Sequence, residues 1–370
     1  MRGGLSIVIP THGRHDLVAA LLVSISEDAR NVEFAVEIII VDDSTPEEAT
    51  KIRRVAIEHN AKILYGIIQV GEKRNYGVKE SAHEIVLFLD SDVKIRQGTL
   101  KAHYNRLSHA PKDVAGCLGK IEFVGQETYA WKVIEVMQLT LPFSYPDIAE
   151  QVPWGPTANL SIRRSLFLKV GGFDTSLPKY GGEDVDIGLR LNDQGFRIIT
   201  AKDAIAEHAI ETWSTWRQNI PRLWSFGLAD YHLLVRHPNR VFLDFPTGPM
   251  LWIAQFLILT VLVVANYITL LKALCAFGAS ITAYPFVYAL LKQKGGSGSR
   301  IQVHLLGPLI FWTMDLAKAV EAVRRRRPDL IFKRVKFLDD LIAQDWNEIA
   351  ASAWGLTGSA IIFLAVIVML

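Results

Sequence analysis

Ile85-Val86-Leu87-Phe88-Leu89-Asp90-Ser91-Asp92 is the stretch on which the fold of this chain turns. Five consecutive apolar residues without polar alternation read as a strand covered on both faces, as in parallel sheets. Ligands of such sheets bind in the crevice beyond the carboxyl ends of the strands. Asp90 and Asp92 leave the strand two residues apart and project to one side, into that crevice. Two carboxylates so placed can hold a hard divalent cation, and the cation can hold a diphosphate. Alone, Asp-Ser-Asp is also an ordinary turn or helix cap, so the weight falls on its surroundings.

The same texture runs from residue 1 to about 245. Residues 5–10, 36–41 and 61–70 are strand-like, and helices are expected over 16–26, over 46–60 and from about Lys73. Short Val- and Ile-rich runs alternating with helical stretches predict an α/β domain on a mostly parallel, Rossmann-like sheet. The carboxyl ends of its strands carry Thr11, then Asp42-Asp43, then Asp90-Ser91-Asp92.

Composition bounds the rest. Of 370 residues, 50% are apolar and 21% charged, and 40 Lys+Arg against 38 Asp+Glu leave a net charge of +2. That balance excludes a disordered chain and offers no basic surplus for a nucleic-acid partner. Cys117 and Cys275 are the only cysteines, too few for a disulfide scaffold or a structural zinc site. No signal peptide is read at the N-terminus, so the front domain is expected in the cytoplasm. Mean hydropathy is positive at +0.21, and the apolar surplus lies late in the chain. Uncharged stretches near 249–271, 273–291 and 350–370 are each long enough to cross a ~30 Å hydrocarbon core. Residues 301–320 read as interfacial or as a fourth span. In 213–248, Trp216, Ile220, Leu223, Trp224, Gly227 and Tyr231 recur at helical steps among Arg217, Arg222, Arg236 and Arg240. Amphipathic helices touching membrane lipids would look like this, and so would helices packed on a core. The expected organisation is therefore a domain over 1–212, interfacial helices over 213–248 and a membrane region over 249–370. A multi-pass protein of the cytoplasmic membrane would follow.

Several short motifs occur in order. Ser6-Ile7-Val8-Ile9-Pro10-Thr11-His12-Gly13-Arg14 opens the domain. Glu37 to Ser44, Lys73-Arg74-Asn75-Tyr76-Gly77 and the Asp-Ser-Asp follow. Later come Trp154-Gly155-Pro156 with Asn159, Gly171-Gly172-Phe173-Asp174, and Gly181-Gly182-Glu183-Asp184-Val185-Asp186. As an ordered set over about residues 4 to 240, they resemble a family 2 glycosyltransferase with a GT-A fold. The resemblance implies that Pro10, Thr11, Arg14 and Asp42 or Asp43 line the uracil and ribose. It implies that Arg74 approaches the diphosphate or donor sugar, that Asp90 with Ser91 contacts ribose or sugar, and that Asp92 binds the metal. Trp154, Gly155, Asn159 and Gly182 would lie at the acceptor beside Glu183-Asp184, with Asp184 the catalytic base at the start of a helix. His208 would complete a metal site suited to Mn²⁺ or Mg²⁺. The implied chemistry is a single displacement: a nucleotide-sugar donor, UDP-linked by family habit, gives its sugar with inversion to a hydroxyl of a lipid or glycan acceptor.

Alternatives stay open at this point. A polyprenyl-phosphate acceptor would need no base. A processive synthase would carry Gln-x-x-Arg-Trp, whereas Gln218-Asn219-Ile220-Pro221-Arg222-Leu223-Trp224 has extra residues. A sugar nucleotidyltransferase would want a Gly-rich basic loop after the first strand, and a non-catalytic membrane scaffold would need none of the carboxylates.

Overall fold

The computed structural model describes residues 3–177, 181–243, 248–294, 301–337 and 346–369; within these, the side chains of 248–250, 252, 285–294, 301–305, 308 and 346–356 lie outside the description. The chain divides into two compact units. One comprises Met1–Gln126, Thr140–Thr212 and Phe337–Ile342, the other Glu127–Leu139, Trp213–Lys336 and Ala343–Leu370.

The first unit starts with β1 (Gly4–Thr11), α1 (His15–Ala29), β2 (Ala35–Asp42), α2 (Pro46–Glu58), β3 (Lys62–Tyr65) and α3 (Val70–Glu80). Then come β4 (Ile85–Leu89), β5 (Val93–Ile95), α4 (Thr99–Ser108) and β6 (Val114–Val124). After α5 (Tyr129–Val136), which belongs to the second unit, follow α6 (Tyr145–Ile148), β7 (Gln151–Val152), β8 (Asn159–Arg163), α7 (Arg164–Lys169), α8 (Glu183–Asp193) and β9 (Arg197–Ala209). The strands form one sheet in the order β3-β2-β1-β4-β8-β6-β9-β5, with β7 also on β9. β3, β2, β1 and β4 are mutually parallel, as the apolar runs predict. β8 runs antiparallel between β4 and β6, β6 and β9 are parallel, and β5 and β7 run against β9, so the sheet is mixed.

Both faces are covered, which explains the unbroken apolar strands. Ile7 and Ile9 of β1 pack with Val18, Leu21, Leu22 and Ile25 of α1, Ile52 of α2 and Leu100 of α4. Val8, pointing the other way, packs with Val78 of α3, Phe167 of α7 and Ile187 and Leu191 of α8. One boundary differs from the sequence expectation. β3 stops at Tyr65, Gly66 turns the chain at a φ of 95°, and α3 begins at Val70. Gln69 caps it, its side-chain oxygen accepting the Glu72 N–H at 2.7 Å.

The second unit comprises α5, α9 (Trp216–Arg236), β10 (Val241–Leu243), α10 (Gly248–Val264), α11 (Leu270–Lys294), α12 (Ile301–Arg324), β11 (Lys333–Val335) and α13 (Trp346–Met369), with β10 and β11 antiparallel. Part of the repeating face of α9 packs on other helices, while Ile220 is 52% exposed. Leu223 and Tyr231 are buried, and Gly227 lies so close to α12 that a Cβ would fall 2.1 Å from the Met314 carbonyl oxygen. Gln218 is occupied locally in a capping box with Thr215, and Arg222 lies over the Trp213 ring at 3.8 Å.

The expectation of a multi-pass membrane protein is corrected here: among the described residues, no helix is long and apolar enough to cross a membrane. The uncharged stretch 249–271 is not one helix. α10 ends at Val264 after 17 residues, about 25 Å at 1.5 Å per residue and short of a ~30 Å core. A turn with Asn266 at a φ of 58° then separates it from α11. α12, which covers 301–320, carries Asp315, Lys318 and Glu321, all buried. Between α10, α11 and α13 the contact is partly polar, since the Ser280 hydroxyl donates to Gln255 Oε1 at 2.9 Å and pairs with the Ser359 hydroxyl at 2.7 Å. Parts of the expected spans 273–291, 301–320 and 350–370 fall where side chains lie outside the description.

Close approach fixes α8 as well. At Gly188, a Cβ would meet Trp154 Cβ at 2.4 Å and the Pro153 carbonyl oxygen at 2.8 Å. Helix propensity favours alanine there, but the backbone neighbours cannot swing aside, so the clash decides the sign. Gly188→Ala is expected to cost about 1–3 kcal/mol in chemical denaturation. Gly278→Ala in α11, where nothing lies within 4 Å, should instead stabilise by up to about 1 kcal/mol.

Candidate active site

The carboxyl ends of β1, β2 and β4, the start of α8 and the end of β9 meet at one edge of the sheet. Thr11 closes β1 in register with Asp42 of β2, one step beyond the Pro10–Val41 pair. Gly13 and Arg14, at φ 66° and 62°, turn the chain into α1. Asp42 is 1% exposed. Its Oδ1 accepts the Ser44 backbone N–H at 3.1 Å and the Ser44 hydroxyl, while its Oδ2 is buried without a partner. That orphan oxygen is an acceptor available to a ligand N–H. Asp43 bonds to the buried Lys73 ammonium, which also donates to the Thr11 carbonyl at 2.6 Å, and to His12 at 3.0 Å. Burial pushes the Asp43 carboxyl up, but Lys73 and His12 outweigh it and hold the group below its ordinary value.

Asp90-Ser91-Asp92 forms the turn from β4 into β5. β5 pairs with β9 so that Val93 lies opposite His208, which delivers the imidazole to the neighbouring Asp92. His208 Nε2 stands 3.5 Å from Asp92 Oδ1. His208 Nδ1 lies 3.1 Å from the Ala209 carbonyl, which can only accept, so Nδ1 is the donor there and Nε2 is the ring atom turned toward Asp92. One ligand atom each from Asp90, Asp92 and His208 lie within 4.8 Å of one another. Two carboxylates and an imidazole suit Mn²⁺ or Mg²⁺. The other Asp92 oxygen, Oδ2, accepts from Arg14 Nη1 at 2.9 Å.

Gly181 and Gly182, at φ 85° and 90°, lead into α8, whose first turn carries Glu183, Asp184 and Asp186. Arg74 of α3, 3% exposed, reaches both ends of the site. Its Nη1 donates to Glu183 Oε1 at 2.9 Å and its Nη2 to Asp90 Oδ1 at 2.8 Å, with the guanidinium 5.7 Å from the Phe173 ring centroid. Burial works against its charge, yet Asp90, Glu183 and Asp184 together raise its pKa. Asp184 is pushed up to about 7, first by burial and then by the charge of Glu183. The Val185 N–H is bonded to its Oδ1 at 2.8 Å.

Not every residue singled out from sequence lies with this group. Asn159 is fully buried: its amide donates to the Lys120 and Ala204 carbonyls at 3.0 and 2.9 Å, and its oxygen faces His103 at 2.9 Å. It braces the core, and Gly155 is a packing glycine whose Cβ would strike Leu118. Trp154 stacks edge-on against Tyr145 at 5.9 Å, and its Nε1 is buried without a partner. Arg74 ties acids together instead of facing open space. Lys73 and Tyr145 were not assigned from sequence. Lys73 stands beside the singled-out Arg74, whereas Tyr145, which feels the charge of Asp184, has no local motif to mark it.

Residues 6–171 match the model of glycosyl transferase family 2, and residues 144–211 match that of the N-terminal domain of galactosyltransferase. Validoxylamine A glucosyltransferase of Streptomyces hygroscopicus subsp. jinggangensis is 26% identical over 232 residues, 54% of this chain and 54% of that protein. Glycosyltransferase AglE of Haloferax volcanii is 26% identical over 212 residues, 55% of this chain and 66% of its own length. The match thus spans between about half and two thirds of these two relatives. A solved mannosyltransferase from Pyrobaculum calidifontis, in complex with GDP-Man and Mn²⁺, aligns over 96% of this chain and 88% of its own at 16% identity and a TM-score of 0.49. Residues 6–171 thus form a family 2 glycosyltransferase domain, carried by the GT-A-like α/β unit that holds the site.

Proposed function

We propose that this glycosyltransferase moves a sugar from a nucleotide-diphosphate sugar, UDP-linked by preference, to a hydroxyl acceptor with inversion at the anomeric carbon. The observation that carries the reading is Asp184, a carboxylate at a helix start with its pKa raised to about 7, joined through Glu183, Arg74 and Asp90 to the acid–imidazole group. A carboxylate tuned near neutrality is a base matched to deprotonating a hydroxyl. Asp184 takes the acceptor proton as the acceptor oxygen bonds to the anomeric carbon. The bond from that carbon to the diphosphate breaks, and the nucleoside diphosphate leaves with its electron pair. Asp90, Asp92 and His208 would hold a divalent cation, which when bound neutralises charge on the departing diphosphate. Asp42 Oδ2 supplies the acceptor for a base N–H. The acceptor is a hydroxyl rather than a phosphate because a phosphate would give the tuned base nothing to do.

The test is nucleoside-diphosphate release by the full chain with Mn²⁺ across a panel of UDP- and GDP-sugars and glycan acceptors. Release should appear with one donor, vanish with EDTA and return with Mn²⁺ or Mg²⁺. Asp184→Asn should lower kcat by about 10²- to 10⁴-fold; transfer at the wild-type rate in that variant would sink the assignment of the base.

The pH dependence has a definite sign. Because Asp184 acts deprotonated, kcat/KM should climb as pH rises through about 7. In the unliganded protein the same raised pKa works against stability. The group's contribution is fully present below the ordinary carboxyl value of 3.8 and is lost as pH rises through about 7. Thermal melts from pH 5 to 8 should therefore fall less steeply in Asp184→Asn than in the wild type.

A further inference from the structure

Arg14 has a partner that its sequence position does not announce. It stands at the turn from β1 into α1, its backbone carbonyl accepting the Leu17 and Val18 N–H groups at 3.0 and 3.1 Å. Its side chain, 51% exposed, leans across to Asp92, 11% exposed, and donates to Oδ2 at 2.9 Å. The other oxygen of the same carboxylate faces His208 Nε2 at 3.5 Å. The guanidinium thus holds a positive charge on the one carboxylate that a divalent cation would share with His208. A cation seated between Asp90, Asp92 and His208 would meet Arg14 across a single carboxyl group, two positive charges on one acid. Of the two, the arginine is the one free to leave. It is half in solvent, and an exposed pair of this kind is worth no more than about fivefold in an equilibrium. Its backbone, fixed in the first turn of α1, keeps the released side chain at the mouth of the nucleotide end. There the planar fork fits phosphate oxygens two at a time.

We propose that Arg14 is a stand-in cation for Asp92, which gives up that carboxylate when a divalent cation binds and passes to the diphosphate of the donor. This rests on the metal-dependent reading of the site given above. Arg14 then shields the acid from its neighbours before loading and adds a second positive contact to the leaving group after it. Its partner in the loaded site is the diphosphate rather than the uracil or ribose.

Two binding measurements with opposite signs test it. Mn²⁺ alone is titrated into the wild type, Arg14→Ala, Arg14→Lys and Asp92→Asn, free ion being read by electron paramagnetic resonance. UDP and GDP are then titrated calorimetrically at saturating Mn²⁺. Removal of the competing cation should tighten Mn²⁺ binding in Arg14→Ala by about two- to fivefold, while the nucleoside diphosphate that the wild type binds should bind about tenfold more weakly. Arg14→Lys should lie near the wild type for Mn²⁺. Unchanged or weaker Mn²⁺ binding in Arg14→Ala would overturn the proposal, since the arginine would then be a bystander or a brace that orients Asp92. Undiminished nucleotide binding would overturn the transfer to the diphosphate. If instead the wild type and Asp92→Asn take up Mn²⁺ equally, the metal reading itself fails, an outcome separable from the other two.

Discussion

A single guanidinium, closed off from water, organises the site. Arg74 bonds Asp90 on one side and Glu183 on the other, joining positions 16 and 109 residues away in the chain. Removing a buried partner from such a group would strand uncompensated charge, so the end of β4 and the start of α8 are not free to drift apart. The acid–imidazole group and the base hang from these two points: Asp92 and His208 follow Asp90 through the β5–β9 pairing, and Asp184 follows Glu183. The guanidinium also tempers what burial does to Asp184. For Asp184, burial and the charge of Glu183 raise the pKa, and the nearby guanidinium opposes them.

The same economy appears at the nucleotide end. Lys73 is the residue before Arg74 on α3, and it binds Asp43 and the Thr11 carbonyl. Two consecutive basic side chains of one helix therefore secure β1 and β2 on one side and β4 and α8 on the other. α3 can do this because Gly77 lets it approach β1; a Cβ at that position would lie 2.4 Å from Val8 Cγ1.

How much of this was legible in the sequence depended on whether the signal was local. β1, β2 and β4 announce themselves because a strand covered on both faces needs an unbroken apolar run, and Asp184 announces a helix start through two glycines. The direction of β8 could not be read, since an apolar run carries no arrow and the antiparallel choice is made by its neighbours β4 and β6. Asn159 looked like a site residue because its motif is shared, yet its amide closes three core contacts. Tyr145 was invisible because its relation to Asp184 exists only after folding. In the second unit, the uncharged residues 249–271 hid a helix end, because the turn at Asn266 is made without any charge to mark it.

The register of β5 against β9 makes the metal-ready arrangement a matter of parity. Side chains along a strand point alternately to opposite faces, so sliding one partner by a single residue turns every one of them over. β5 has only three residues, and Val93 opposite His208 is one of its three pairs. One residue gained or lost between Ile205 and His208 would point the imidazole away from Asp92 while leaving the composition of the site intact. β9 already absorbs an irregularity in its pairing with β6, and it does so between Gly119 and Lys120, upstream of the last five pairs. In evolutionary terms, the final stretch of β9 can change its letters but not their number.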